Sequence, residues 1–286
     1  MDITSKVTDH SILPSPPFVE VAGIPNFRDL GGYPISTSPS HSVRRGFIYR
    51  CAEPSKVTKD GIYKIQGLGI THIYDLRSNV EIERAQAAGR GGIVELDGCT
   101  RVFLPIFTDT DYSPESLALV YKDYTSGIEG FTRVYTRILN KAAPYYKTIL
   151  LHLADEPSKP LIVHCTAGKD RTGIICALIL SLCGVDDETV AQEYSLTDLG
   201  LSMEWKEAAV EHLMKNSGLK GNKAGALNMI GSNPSRENML SALRVVNEEF
   251  GGVENYMIGK CGLTKEQIER IRANLIVEKP AFHAKA

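Results

Sequence analysis

The chain has 286 residues, 43% of them apolar, which suits one large globular domain or two small ones with an ordinary core. Its formal charge of -2 gives no global attraction to nucleic acid or to a membrane surface. The six cysteines (Cys51, Cys99, Cys165, Cys176, Cys183 and Cys261) show no zinc-ligand spacing, and no metal or other cofactor is expected.

Residues 1–20 read as a flexible lead-in ending near Pro14-Ser15-Pro16-Pro17, and the N-terminus lacks the apolar run of a signal peptide. Residues 21–276 are expected to form the domain, and 277–286 a loose tail. The block Asn26-Phe27-Arg28-Asp29-Leu30-Gly31-Gly32 comes first, and Tyr33 to Ser42, rich in Pro and Ser, reads as an exposed loop. Arg44, Arg45 and Arg50 flank a short strand, Phe47 to Tyr49. They form either a solvated basic edge or, for one of them, part of a site rim. Val57 to Leu68 has helical spacing with Thr58 as N-cap, and Ile70 to Leu76 reads as a strand with Asp75 at its C-terminal end. In open parallel sheets, ligands bind at that edge. Asn79 to Ala87 reads as a helix with Glu81 and Glu83 near its start, and Arg101 to Ile106 as a strand followed by the loop Phe107 to Asp111.

A helix capped by Ser113 runs to about Thr125. A second runs from Ile128 to Ala154, with Pro144 expected to kink it. The two helices read as core packing or as a lid over a pocket. Leu161 to Val163 is a strand and Ile174 to Cys183 an apolar helix, too short to span a membrane, in which Cys176 and Cys183 are inert core. The remainder is helical: Asp187 to Leu196, Ser202 to Lys215, Pro234 to Phe250, Val253 to Lys260 and Lys265 to Ile276. A Gly- and Asn-rich stretch, Gly218 to Asn233, interrupts them. Strands alternating with helices, then helices alone, predict an α/β fold: a central, mostly parallel sheet flanked by helices, with a helical C-terminal part.

Between the strand ending at Val163 and the buried helix lies His164-Cys165-Thr166-Ala167-Gly168-Lys169-Asp170-Arg171-Thr172-Gly173. A tight strand-to-helix loop turns several backbone N–H groups inward, an anion nest at a helix N-terminus. Thr166, Ala167, Gly168, Lys169, Asp170 and Arg171 are therefore the candidate phosphate-binding residues. Gly168 supplies a backbone conformation that a Cβ obstructs, and Arg171 a planar fork for two phosphate oxygens. Cys165, facing the nest, should be held as a thiolate poised for in-line attack on phosphorus, giving a phosphocysteine that water hydrolyses. Thr172 can hydrogen-bond the departing sulfur, and His164 can position it.

This stretch resembles the phosphate loop of the protein tyrosine phosphatase superfamily, in the branch of bacterial and fungal tyrosine and phosphoinositide phosphatases. The Asn26 block, the run Ile73-Tyr74-Asp75-Leu76-Arg77-Ser78 with Glu81, and Phe250 to Tyr256 are similar to that branch in the same order. The resemblance implies a protein tyrosine phosphatase-like fold and a cysteine-dependent phosphatase. It would act on phosphotyrosine proteins, with phosphoserine/threonine or phosphoinositides as further substrates. With the near-neutral charge and the short apolar helix, no nucleic-acid partner and no stable membrane insertion are expected. A reactive thiol needs a reducing compartment, so the cytoplasm is the expected location.

Tyrosine phosphatases of the best-known type take their acid from a Trp-Pro-Asp loop. Here the only tryptophan is Trp205, within Glu204-Trp205-Lys206. Asp170, inside the loop, is commonly discussed as the acid in this branch, with Asp75, Asp109 and Asp111 as the alternatives. Lys169 resembles the lipid-phosphatase pattern, and Arg28 serves either a second phosphate or the loop's structure. The competing functions are a catalytically inactive phosphate-binding module, and sulfur transfer or arsenate reduction. The nucleophile argues against the first, and Arg171-Thr172-Gly173 with the Asn26 block against the others.

Overall fold

The computed structural model describes residues 13–89, 91–216, 226–227 and 235–279. The central sheet has five strands: β1 (Arg28–Asp29), β4 (Ile48–Cys51), β7 (Leu161–His164), β5 (His72–Asp75) and β6 (Thr100–Phe103), in that spatial order. All neighbours are parallel except β1 and β4. Asp75 pairs in register with His164, and His164 with Cys51. Three chemically distinct residues therefore reach the same carboxyl edge of the sheet.

Side chains alternate across this sheet, and each face buries a different set. Tyr49, Ile73 and Ile162 face α1 (Lys59–Gly67) and pack with Phe27, Ile65 and Ile70. Ile48, Tyr74, Leu161 and Val163 face the larger core, built on α4 (Gly127–Asp155) and α5 (Asp170–Leu182). Every residue of α5 from Arg171 to Leu180 is buried, as its all-round apolar pattern requires. Helix α2 (Asn79–Ala87) opens with a full capping box between Ser78 and Glu81. A 3-10 turn (Asp109–Tyr112) leads into α3 (Pro114–Tyr124), which lies along α4. Helices α6 (Asp187–Ser195), α7 (Thr197–Gly200) and α8 (Met203–Asn216) follow α5. Helices α9 (Arg236–Phe250), α10 (Val253–Gly259) and α11 (Lys265–Leu275) close the core.

The α/β expectation holds, with five differences in detail. The segment expected as an exposed loop after Tyr33 contains β2 (Pro34–Ile35) and β3 (Ser38–Val43). These pair antiparallel with each other and with β8 (Ile276–Glu278) as a second sheet. The expected loose tail therefore begins too early: Val277 and Glu278 are paired with Ser42 and His41. The lead-in also ends sooner than expected, since Phe18 is buried and bridges to Arg28. The strand expected over Arg101 to Ile106 is four residues, Thr100–Phe103. Helix α4 is assigned without a break through Pro144, which lies on its exposed face, where water can take the carbonyl of Asn140 that the proline cannot bond. The Gly218 to Asn233 stretch lies outside the described residues apart from 226–227, which are helical.

Candidate active site

The loop from His164 to Arg171 is pinned from outside through its carbonyls. The carbonyl of Thr166 accepts from the Glu53 N–H at 3.0 Å, that of Ala167 from Asn26 Nδ2 at 3.0 Å and that of Gly168 from Arg50 Nη2 at 2.6 Å. In a trans peptide the next N–H points opposite to the carbonyl. With three successive carbonyls turned outward, the N–H groups of Ala167, Gly168 and Lys169 turn inward, as an anion nest requires. Gly168 sits at φ +65°, and a Cβ there would fall on the carbonyl group of Cys51 and lie 2.9 Å from the Ala52 nitrogen. Cys165 is 2% exposed at the end of β7.

The pins explain the Asn26 block. Asn26 adopts φ +60°, a region this residue type tolerates, and so reaches Ala167. Arg28, completely buried, bonds Glu193 at 2.7 Å, the Asn26 side chain and Thr197. Arg50 shares Glu193 at 2.6 Å. One buried carboxylate thus holds two guanidiniums, one of which grips the loop. Arg28 is committed to this scaffold rather than to a second phosphate. Among the basic edge, Arg50 is buried behind the loop, while Arg44 stacks over Phe47 and bonds the Pro157 carbonyl.

Arg171 is held from the front. Its Nη1 and Nη2 donate to the two oxygens of Glu81, each at 2.6 Å, and Nη1 also reaches the Leu76 carbonyl. Thr166 Oγ1 donates to Glu81 Oε1 at 2.7 Å and the Tyr112 hydroxyl to Oε2 at 2.8 Å. Burial opposes the charge on Glu81, but Arg171 and these donors outweigh it and hold the carboxyl down to about 2. Phe107 lies 5.6 Å from the Arg171 guanidinium and, with Tyr112 and Thr166, forms a partly open aromatic rim.

A sequence profile of the tyrosine phosphatase family matches residues 19–277. The chain belongs to the tyrosine phosphatase family. It is 29% identical over 199 residues to a triple specificity protein phosphatase, PtpB, of Mycobacterium tuberculosis, spanning 61% of this chain and 67% of that one. A putative tyrosine-protein phosphatase of Cupriavidus necator is 27% identical over 82% of this chain and 80% of its own. A tyrosine-protein phosphatase of Nostoc commune is 26% identical over 54% of this chain and 52% of its own.

This phosphatase places its acidic candidates in different surroundings. Asp75 is completely buried, with Arg77 donating to both oxygens at 2.9 and 2.8 Å and Arg101 to Oδ2 at 2.8 Å. Burial opposes ionisation there, yet His164 and the two guanidiniums hold the carboxyl well below the usual range. Asp111 is tied to Lys141 and to the Thr108 N–H, and Asp109 is exposed on the same 3-10 turn. Asp170, at the start of α5, is half-buried beside the loop and accepts from the Tyr135 hydroxyl at 3.0 Å.

Two supporting residues of the phosphatase, Lys169 and Thr172, depart from expectation. Lys169 is completely buried instead of standing solvated over the rim. Its ammonium lies 5.5 Å from the Tyr124 ring centre, 5.2 Å from that of Phe131 and 3.6 Å from Asp170. Burial pushes Lys169 down from the ordinary lysine range, with Asp170 pulling it back. His164 is pushed down to about 4, chiefly by burial, and is neutral at pH 7; its Nδ1 faces the Cys165 carbonyl. Thr172 Oγ1 is buried without a hydrogen-bond partner among the described residues, so the expected bond to the Cys165 sulfur is not made. Sequence reasoning missed Glu53, Glu193 and Tyr135 altogether, and gave Asn26 only as the first residue of its block, with no role. Of the Glu81 pairing the only trace is the Ser78-x-x-Glu81 spacing, which fixes where that carboxylate stands.

Among the described residues, no helix is long and apolar enough to cross a membrane.

Proposed function

We propose that this phosphatase hydrolyses phosphotyrosine in proteins through a phosphocysteine. The Cys165 thiolate attacks phosphorus in line, the P–O bond to the tyrosine breaks, and Asp170 gives its proton to the departing phenoxide. Water then attacks the S–P bond, with the Asp170 carboxylate taking its proton, and inorganic phosphate leaves. Arg171 and the inward N–H groups of Ala167, Gly168 and Lys169 carry the charge on the phosphoryl oxygens. The observation that supports this reading best is the set of three outward carbonyls, held by Glu53, Asn26 and Arg50, around buried Cys165. It leaves a donor-lined cup with the nucleophile at its floor.

A phosphotyrosine rather than a polyphosphorylated lipid is favoured by the rim. Phe107 and Tyr112 offer aromatic surface there, while Arg28, Arg50 and Lys169, three of the cations singled out from the sequence, are buried and paired with Glu193 or Asp170. The M. tuberculosis relative carries triple specificity in its name, which motivates a wider substrate panel.

The test is phosphate release from a phosphotyrosine peptide, a phosphoserine peptide and phosphoinositides in parallel, with Cys165→Ser as the blank. The peptide is expected to lead, and Cys165→Ser to lose turnover while still binding phosphate. Substantial residual turnover in that variant sinks the mechanism. Preference for the lipids sinks the substrate assignment.

A further inference from the structure

Behind Asp170 lies a buried polar cluster that phosphoryl transfer as described does not use. The Tyr135 hydroxyl, on α4, donates to Asp170 Oδ1 at 3.0 Å and lies 2.5 Å from the Tyr194 hydroxyl of α6. Tyr135 and Tyr194 are at most 1% exposed. Tyr124, on α3, also hydrogen-bonds Asp170, and Lys169 places its ammonium 3.6 Å from Oδ1. Four side chains from the loop and from three helices thus converge on one half-buried carboxyl. Burial raises Tyr124, Tyr135 and Tyr194 well above the ordinary phenol range, with the Asp170 charge adding to it. All three phenols therefore remain protonated and able to donate.

The chemistry of a carboxylic acid gives this arrangement a purpose. A proton donor in P–O cleavage must aim one oxygen at the leaving group, while a freely rotating side chain exchanges its two oxygens. A phenol that always donates to Oδ1 marks that atom as the acceptor. Tyr194, at 2.5 Å from the same hydroxyl, orients the phenol in turn. Lys169, enclosed by Tyr124 and Phe131, supplies a fixed counter-charge when the carboxyl is ionised after transfer.

We infer that Tyr135, backed by Tyr194, is a positioning residue that fixes the Asp170 carboxyl for proton transfer, with Lys169 as its buried counter-charge rather than a substrate ligand. The inference rests on the reading of Asp170 as the acid. It extends the catalytic apparatus to two helices, α4 and α6, whose sequences carry no phosphatase motif.

The test compares kcat/KM for phenyl phosphate, a poor leaving group, with that for 4-nitrophenyl phosphate, an activated one. It uses wild type, Tyr135→Phe, Tyr194→Phe, Asp170→Asn and the double variant Tyr135→Phe/Asp170→Asn. Each Tyr→Phe change removes one oxygen and keeps the ring, and thermal melting checks the fold. In Tyr135→Phe the loss on phenyl phosphate is expected to exceed that on 4-nitrophenyl phosphate by about tenfold, the scale of a hydrogen bond to a charged group. Tyr194→Phe should show a smaller difference of the same sign, and the double variant no more than Asp170→Asn alone. A selective loss in Asp170→Asn that Tyr135→Phe does not share overturns this inference alone. Equal loss on both substrates in Asp170→Asn overturns the acid reading, and this inference with it.

Discussion

Glu81 and Arg171 meet through two parallel hydrogen bonds of 2.6 Å, although they stand 90 residues apart in the chain. The same carboxylate takes the hydroxyls of Thr166 and Tyr112, so it ties the loop's first and last residues after Cys165 to the cap of α2. A guanidinium fixed in this way presents its remaining N–H bonds to a phosphate without first paying rotamer entropy.

Glu81→Gln should therefore weaken both phosphate binding and the fold. Breaking a fully buried pair costs about 3–5 kcal/mol. Here the side chains are 10% and 19% exposed, and solvent screening brings the cost to roughly 2–3 kcal/mol. The folded carboxyl is held down to about 2, below its ordinary 4.5. Its contribution is thus complete above about pH 4.5 and is lost as pH falls from there toward 2. Melting curves of wild type and Glu81→Gln should converge in that window and stay apart at pH 7. A gap that persists unchanged at low pH would show that the pair's charge is not what stabilises it.

Gly168→Ala should damage the site more than the fold. An alanine at φ +65° costs about 1–2 kcal/mol. Its Cβ would also displace the Cys51 carbonyl, so the loop must shift. A loss in kcat/KM of roughly 100-fold is expected from a misplacement of about 1 Å, with circular dichroism close to wild type. Wild-type kinetics would mean the loop adapts at no cost to catalysis.

Asp75→Asn should lower stability without acting as loss of the acid. The change takes the Asp75 carboxylate from Arg101 and leaves Arg77 with Glu53 alone, a penalty of roughly 2–4 kcal/mol once the partial exposure of Arg101 is allowed for. Thermal melting reads the first effect. The ratio of activities on phenyl and 4-nitrophenyl phosphate reads the second and should stay at the wild-type value. A collapse of that ratio would move the acid role to Asp75.

Arg50→Met should loosen the loop from behind. It removes the 2.6 Å bond to the Gly168 carbonyl and leaves Glu193 with Arg28 alone. KM is expected to rise with a fall in melting temperature, and inorganic phosphate should inhibit more weakly. Unchanged phosphate inhibition in a destabilised variant would confine Arg50 to the fold.

Cys165, Arg171 and the strand-loop-helix that carries them were legible because they are adjacent in the chain and bound to one local geometry. The middle of the sheet was legible for a related reason: β7 and most of β5 are buried on both faces and read as short apolar runs. The second sheet was not, since Ser38 to Val43 and Ile276 to Glu278 find each other across more than 230 residues, and neither is apolar enough to announce a strand. Lys169 shows the same limit in the site itself. Its position inside the loop suggests a substrate cation, but α3 and α4 bring Tyr124 and Phe131 over it and bury it.

The sequence by itself determined which groups the proposed chemistry uses: a thiol, a tight strand-to-helix loop and a guanidinium fork, set by spacing within ten residues. Only the tertiary structure decided which charges are available to a substrate. Nothing in their residue types says that Arg28, Arg50, Asp75 and Lys169 are buried. Arg28 and Arg50 are neutralised by Glu193, which arrives from a distant segment, and Asp75 and Lys169 by nearer partners, Arg77, Arg101 and Asp170, because a charge removed from water must be paired where it is buried.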